Sequence, residues 1–279
     1  MTDLIRAFDN KNTPIVTEKN DILDLTYFNI VKLDKGETFE SALKAFESVC
    51  VVLQGNCDIW VDERSFADVG KRKDIWSGKA DSIYVPIGHS VRISSNTNNT
   101  EIAIAGGKCD HEYDPFRITP EDVEMVDVGS DETKTHRQIF HILGKNAAGC
   151  AGNLLVSELY AKEGCWSGYP PHKHDEEKED QETEFEELYH FRFKPENGFG
   201  GQFVFQEDGS SKAFMTRSGD TFVLKKGYHP TVTSPGHEEY IFTIIVGKYQ
   251  RSLVQHFKDE YRHLMTKFPG VQDMIDKFK

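Results

Sequence analysis

Short runs in which apolar and polar residues alternate, closed by Gly, Asn or Asp, recur along the whole chain. In the first half they fall at residues 49–53, 58–61, 82–86, 90–93 and 101–105, and Gln54-Gly55-Asn56 marks the turn between the first two. The second half repeats the texture at 153–160, 201–206, 212–216, 221–224 and 240–246, with Asp208-Gly209 as a hairpin signal. A period of two puts every other side chain on one face, which is the pattern of a half-buried strand. Many such strands with few helical patterns between them predict an all-β fold of sandwiches or barrels. The polar stretch 106–136, with Pro115 and Pro120, reads as a linker, and Thr119-Pro120-Glu121-Asp122 within it as a short helical turn. The period changes at the end. Leu253, Phe257, Tyr261, Leu264 and Phe268 are spaced as one face of an amphipathic helix capped by Ser252. After Pro269-Gly270, Val271, Met274, Ile275 and Phe278 predict a second, short helix. The expected job of both is to cover a sheet edge.

Composition narrows the partners. A length of 279 residues suggests two domains, and 33 Lys+Arg against 46 Asp+Glu leave a net charge of −13. That balance repels phosphate, so neither nucleic acid nor an anionic membrane is expected as the main partner. Cys50, Cys57, Cys109, Cys150 and Cys165 are scattered, without a C-x-x-C pair. A disulfide framework or thiolate zinc site is therefore not expected, and a reducing compartment is. The first residues carry no apolar leader and no apolar run is long enough to span a bilayer, so a cytoplasmic location is expected.

The strongest chemical signal is Tyr169-Pro170-Pro171-His172-Lys173-His174. In extended backbone, side chains two apart point the same way, so His172 and His174 form a natural pair of ligands for a divalent metal. The two prolines stiffen the approach. An acidic stretch, residues 175–184, reads as a solvated lid and lacks the spacing of a calcium-binding loop. It leads to Phe185-Glu186-Glu187-Leu188-Tyr189-His190-Phe191, a strand bearing carboxylates, and later to Gly219-Asp220-Thr221-Phe222-Val223-Leu224-Lys225-Lys226-Gly227-Tyr228-His229-Pro230, a strand, a Gly turn and a histidine.

These segments resemble the two motifs of the cupin superfamily. The resemblance implies metal ligands at His172, His174, Glu187 and His229. Glu187 is chosen over Glu186 because Leu188-Tyr189 follows it. The run Gly164-Cys165-Trp166-Ser167-Gly168-Tyr169-Pro170-Pro171, with Gln202-Phe203-Val204-Phe205-Gln206 and Gly227-Tyr228-His229-Pro230, is similar to the 5-deoxy-glucuronate isomerase family of inositol breakdown. The likeness spans most of residues 25–247 and implies a bicupin of two β-sandwich (jelly-roll) barrels with a C-terminal helical extension. The implied divisions are a degenerate N-terminal cupin at 1–110, a linker at 111–136, a metal-binding cupin at 137–250 and helices at 251–279. No His-x-His occurs in the first half, and His89 reads as a turn residue.

The activity this resemblance implies is aldose–ketose isomerisation of a sugar acid, 5-deoxy-D-glucuronate to 2-deoxy-5-keto-D-gluconate, with one divalent ion: Zn, Mn, Fe or Ni. The alternatives are the related 4-deoxy-5-keto-uronate isomerisation, an iron dioxygenase, or a non-catalytic cupin that binds a sugar acid. Removing a proton beside a carbonyl needs a stabilised enediolate and an acid–base shuttle, unless hydride shifts instead. Candidates for the shuttle are Glu186, Tyr189, Lys226 and Tyr228. Arg137, Arg192 and Arg217 are candidates for the substrate carboxylate, and Trp166 and Tyr169 for stacking on the sugar. The extended sheets and tail helices lead us to expect a homo-oligomer.

Overall fold

The computed structural model describes residues 4–278. The chain divides into two compact units. One holds residues 9–124 and 142–156; the other holds 4–8, 125–141 and the chain from 157 onward. This differs from division into consecutive blocks. The 111–136 stretch expected as a linker contributes the strands Phe116–Ile118 and Glu124–Val128 to sheets, and residues 119–122 close a single turn, with Asp122 N donating to Thr119 O at 3.0 Å.

The first unit contains a five-stranded sheet in the order Phe116–Ile118, Asp81–Val85, Phe46–Gln54, Thr100–Lys108, Thr26–Leu33. Its second sheet runs Thr38–Ala42, Ser90–Ser95, Cys57–Val61, Arg64–Val69. Both are antiparallel. Val31, Cys50, Val52, Ile83, Ile102 and Ile104 from one sheet meet Ile59, Val61, Val91 and Ile93 from the other in one buried core. His89 sits in a turn, with Nδ1 2.6 Å from Asp62 and Nε2 3.1 Å from Glu112.

The second unit carries most of a seven-stranded sheet. Its order is Leu4–Ile5, Thr221–Leu224, Phe185–Lys194, Glu238–Gly247, Leu154–Ala161, Arg137–Leu143, Glu124–Val128. A four-stranded sheet lies opposite: Trp166–Ser167, Thr231–Thr233, Phe199–Phe205, Ser211–Arg217. The predicted Asp208-Gly209 hairpin joins the last two strands, Gly209 at φ 83°. In Phe185–Lys194 the odd-numbered residues face inward, where Tyr189, Phe191 and Phe193 pack with Phe222, Leu224, Ile241 and Phe214.

The tail corrects one expectation. Residues 253–268 do not form an amphipathic helix, because the barrel captures their backbone groups. Thr183 N donates to Val254 O at 3.1 Å, Lys258 N to Pro171 O at 3.0 Å, and His256–Phe257 pairs as a strand with His172–Lys173. A backbone group bonded sideways cannot also close a helical turn. What remains is a short 3₁₀ segment, Asp259–Leu264, followed by the predicted short helix, Val271–Phe278. No helix among the described residues is long and apolar enough to cross a membrane.

Candidate metal centre

The inward row of Phe185–Lys194 places Glu187 between Leu224 and Ile245 of its neighbouring strands. His174 and His229 close on it from two other segments. His174 Nε2 lies 3.0 Å and His229 Nε2 3.1 Å from Glu187 Oε2. The His172 ring centroid is 4.9 Å from that of His229 and 6.3 Å from that of His174. All four residues are at most 5% exposed.

Each imidazole is oriented by its own backbone. His172 Nδ1 is 3.1 Å from Pro170 O, His174 Nδ1 3.3 Å from Phe185 O, and His229 Nδ1 2.9 Å from Gly227 O. A carbonyl only accepts, so each Nδ1 carries a hydrogen and each Nε2 is left with a lone pair, those of His174 and His229 turned toward Glu187. His229 Nε2 is buried and, although near Glu187, makes no hydrogen bond with any described residue. Imidazole lone pairs facing a carboxylate oxygen at about 3 Å repel unless a positive charge lies among them. The donor set therefore fits a divalent cation, and His174, Glu187 and His229 can offer one ligand atom each within 4.8 Å of one another.

Burial alone would raise the Glu187 carboxyl, but the adjacent His174 and His229 imidazoles hold it far below the usual carboxylate range. Burial, with His229 and His174 alongside, drives His172 well below an ordinary histidine. For His174 burial acts downward, yet the Glu187 partner wins and the net shift is upward.

The acidic stretch is not a free lid. Lys173 points away from the histidines, and its Nζ donates to Asp175 Oδ1 at 2.7 Å and to both Glu182 oxygens at 2.9 Å. Asp175, Glu176 and Glu182 thus already surround an ammonium group. Asp175 Oδ2 also accepts from Gly227 N at 2.7 Å, tying the His-x-His segment to the turn before His229. Gly227 is needed there: its φ is +107°, and a Cβ would lie 2.4 Å from Gln206 Nε2.

Of the four shuttle candidates, Tyr189 alone faces inward, two residues from Glu187 on the same strand face, and burial with the Glu187 charge pushes its pKa far up. Glu186 is on the outward face, 3.9 Å from Lys225 Nζ, and Lys226 is exposed. Tyr228 alternates with His229 and donates instead to Glu207, its ring stacked on Phe205. Arg192 shares the outward face with Glu186, and Arg217 is exposed at a strand end. Arg137 is 1% exposed and donates to Thr135 O at 2.9 Å and Tyr169 O at 3.0 Å. Burial lowers its pKa to about 10, so it stays charged at neutral pH. Trp166 and Tyr169 are also displaced from the expected role. Trp166 stacks on Phe203, on the face opposite Ser167, and Tyr169 packs against Tyr261 and Phe268 of the tail. A residue the sequence did not single out, Gln255, reaches in from the tail and donates its amide to His172 Nε2 at 3.0 Å. Its position within an apparent helical repeat hid it.

Comparison with known proteins agrees with this geometry. Residues 4–264 match the sequence profile of the KduI/IolB family. The chain belongs to that family. The 5-deoxy-glucuronate isomerase of Geobacillus kaustophilus is 31% identical over 226 residues, 79% of each chain. Among solved structures, an IolB-like protein of Salmonella typhimurium superposes with a TM-score of 0.81 at 26% identity, covering 86% of this chain and 90% of that one. Oxalate decarboxylase of Bacillus subtilis, a protein with Mn(II) centres, superposes at 0.57 with 14% identity, covering 80% of this chain and 69% of its own. This last likeness shows the bicupin fold. The family resemblance read from the motifs is thereby borne out, and this KduI/IolB member is an enzyme of the isomerase class.

Proposed function

We propose that this KduI/IolB protein is a metal-dependent aldose–ketose isomerase converting 5-deoxy-D-glucuronate to 2-deoxy-5-keto-D-gluconate. The observation that carries the reading is the convergence of three backbone-oriented imidazoles on one buried carboxylate. The ion would be held by His172, His174, Glu187 and His229. When bound, it supplies positive charge beside the oxygens on which negative charge develops. The protein's own groups do the rest. Isomerisation takes a proton from C2 to C1 while another passes between the two oxygens. Tyr189 faces the barrel interior, and burial and the Glu187 charge push its pKa far up, so it stays protonated as a donor to oxygen. Arg137 offers a cation to the distal carboxylate. The buried apolar layer of Phe191, Phe222 and Leu224 lowers the local dielectric and strengthens these charges.

The test is a side-by-side assay on 5-deoxy-glucuronate and 4-deoxy-5-keto-uronate, before chelation, after it, and after metal is returned. Turnover of the first compound, lost to chelator and restored by Mn²⁺ or Zn²⁺, is expected. Turnover that survives full metal removal, or none in metal-replete protein, overturns the proposal.

A further inference from the structure

Buried hydroxyl and amide groups nearly always have a hydrogen-bond partner. On the inner face of the four-stranded sheet three neighbours break that rule. Thr231 follows His229 by two residues in extended backbone, so both side chains point into the barrel. In register, Thr231 stands opposite Ser167 on one side and Gln202 on the other. Thr231 Oγ1, Ser167 Oγ and Gln202 Oε1 are buried and have no hydrogen-bond partner among the described residues. Gln202 is held in place, because its Nε2 donates to His229 O at 2.9 Å. The row thus begins at the backbone of a metal-ligand candidate. Arg137 lies near the same end: its Nη2 donates at 3.0 Å to the carbonyl of Tyr169, two residues after Ser167, and no carboxylate among the described residues pairs with it.

Two hydroxyls and an amide oxygen, with a buried guanidinium that has no carboxylate partner among the described residues, form a surface complementary to a molecule with several hydroxyl groups and one carboxylate. We propose that Thr231, Ser167 and Gln202, together with Arg137, are the subsite that reads the non-reacting hydroxyls and the carboxylate of the substrate. This inference rests on the sugar-acid reading above and assigns its specificity to residues outside the metal cluster. Substrate hydroxyls donate to Gln202 Oε1 and exchange hydrogen bonds with the two side-chain hydroxyls.

The same sheet supplies a control. Thr216 Oγ1 is equally buried and unpartnered, but it lies one step further along, opposite Gly200 and toward Glu239. Thr231→Val, Ser167→Ala and Thr216→Val each remove one such hydroxyl. Metal content, Tm, KM for 5-deoxy-glucuronate, and calorimetric Kd for D-glucuronate and D-glucose are measured on metal-loaded protein. Thr231→Val and Ser167→Ala should each raise KM and the glucuronate Kd about tenfold, the worth of one hydrogen bond. Metal content should stay unchanged and Tm should be unchanged or higher, while Thr216→Val leaves KM and Kd alone. D-Glucose should bind the parent more weakly than D-glucuronate. If Thr231→Val and Ser167→Ala move only Tm, as Thr216→Val does, the subsite is overturned. Ser167→Ala carries the test if Thr231→Val does not fold. A parent that fails to convert 5-deoxy-glucuronate overturns the functional reading; the glucuronate Kd series then decides the subsite separately.

Discussion

The two units are sandwiches of one kind, filled differently. The core of the first is Val, Ile, Leu, Phe and Tyr27, with Cys50 and Cys57 among them. Burial pushes both thiols up, Cys57 to about 12, so they serve as small apolar side chains. In the second unit the apolar layer gives way to three imidazoles, a carboxylate and a row of unpartnered polar atoms. Buried glutamates make the contrast sharper. Glu47 in the first unit is fully paired, with Tyr84 Oη at 2.6 Å, Gly152 N at 2.7 Å and Leu154 N at 2.8 Å. It is a fastening. Glu187 instead faces other acceptors, an arrangement folding alone opposes. A buried polar group saturated by its own chain, as Glu47 is, holds structure; several left wanting around one point, as beside Glu187, call for a ligand.

Three substitutions press on that contrast. The largest effect is expected from His229→Ala, which should lower turnover by more than about 100-fold, since even supporting residues of metal sites often cost that much. Metal analysis should show the ion lost, while His89→Ala, an exposed pair in the first unit, leaves turnover unchanged. Next comes Ile59→Ala, fully buried in the first core. It should destabilise by about 2–5 kcal/mol in denaturant unfolding yet leave kcat intact wherever the protein is folded. Third is Glu239, buried with neither oxygen partnered among the described residues, its pKa raised by burial from 4.5 to about 8. Between those values the unfolded chain has released the proton and the folded one has not. Stability therefore falls as pH rises, by about 1.4 kcal/mol per pH unit, and levels off above the folded pKa. Glu239→Gln should flatten this slope in unfolding curves taken from pH 5 to 8.

Much of this was legible because β-structure writes its burial with a period of two. Most strands, the 208–209 hairpin and the inward parity of His172, His174 and Glu187 follow from that alternation and from the cupin motifs. The rest depends on tertiary choices that periodicity does not encode. Trp166 and Ser167 are adjacent, and only the pairing with Val232 and Thr231 decides which one enters the barrel. Glu186 and Tyr228 sat beside ligands in sequence and were offered as shuttle groups, but one residue along a strand is the opposite face. Ser167 and Thr231 look like ordinary strand residues until their missing partners are seen. The tail misled for a different reason: its helical spacing was real, but bonds to Thr183 and Pro171 outweigh propensity over residues 253–258.

The smallest effect concerns that tail. Gln255 holds the lone pair of His172 that a metal would need, and Phe257 packs its ring 5.3 Å from the same imidazole. Gln255→Leu removes the competing donor but keeps apolar cover over the site. If the amide and the ion exchange on His172, the variant should bind Mn²⁺ about two- to tenfold more tightly in a chelator competition, the range one net hydrogen bond allows. Weaker binding would mean that the amide orients the imidazole rather than competing for it. Gln255 would then belong with the backbone carbonyls that aim the three rings, and the tail would be part of the metal site's scaffold.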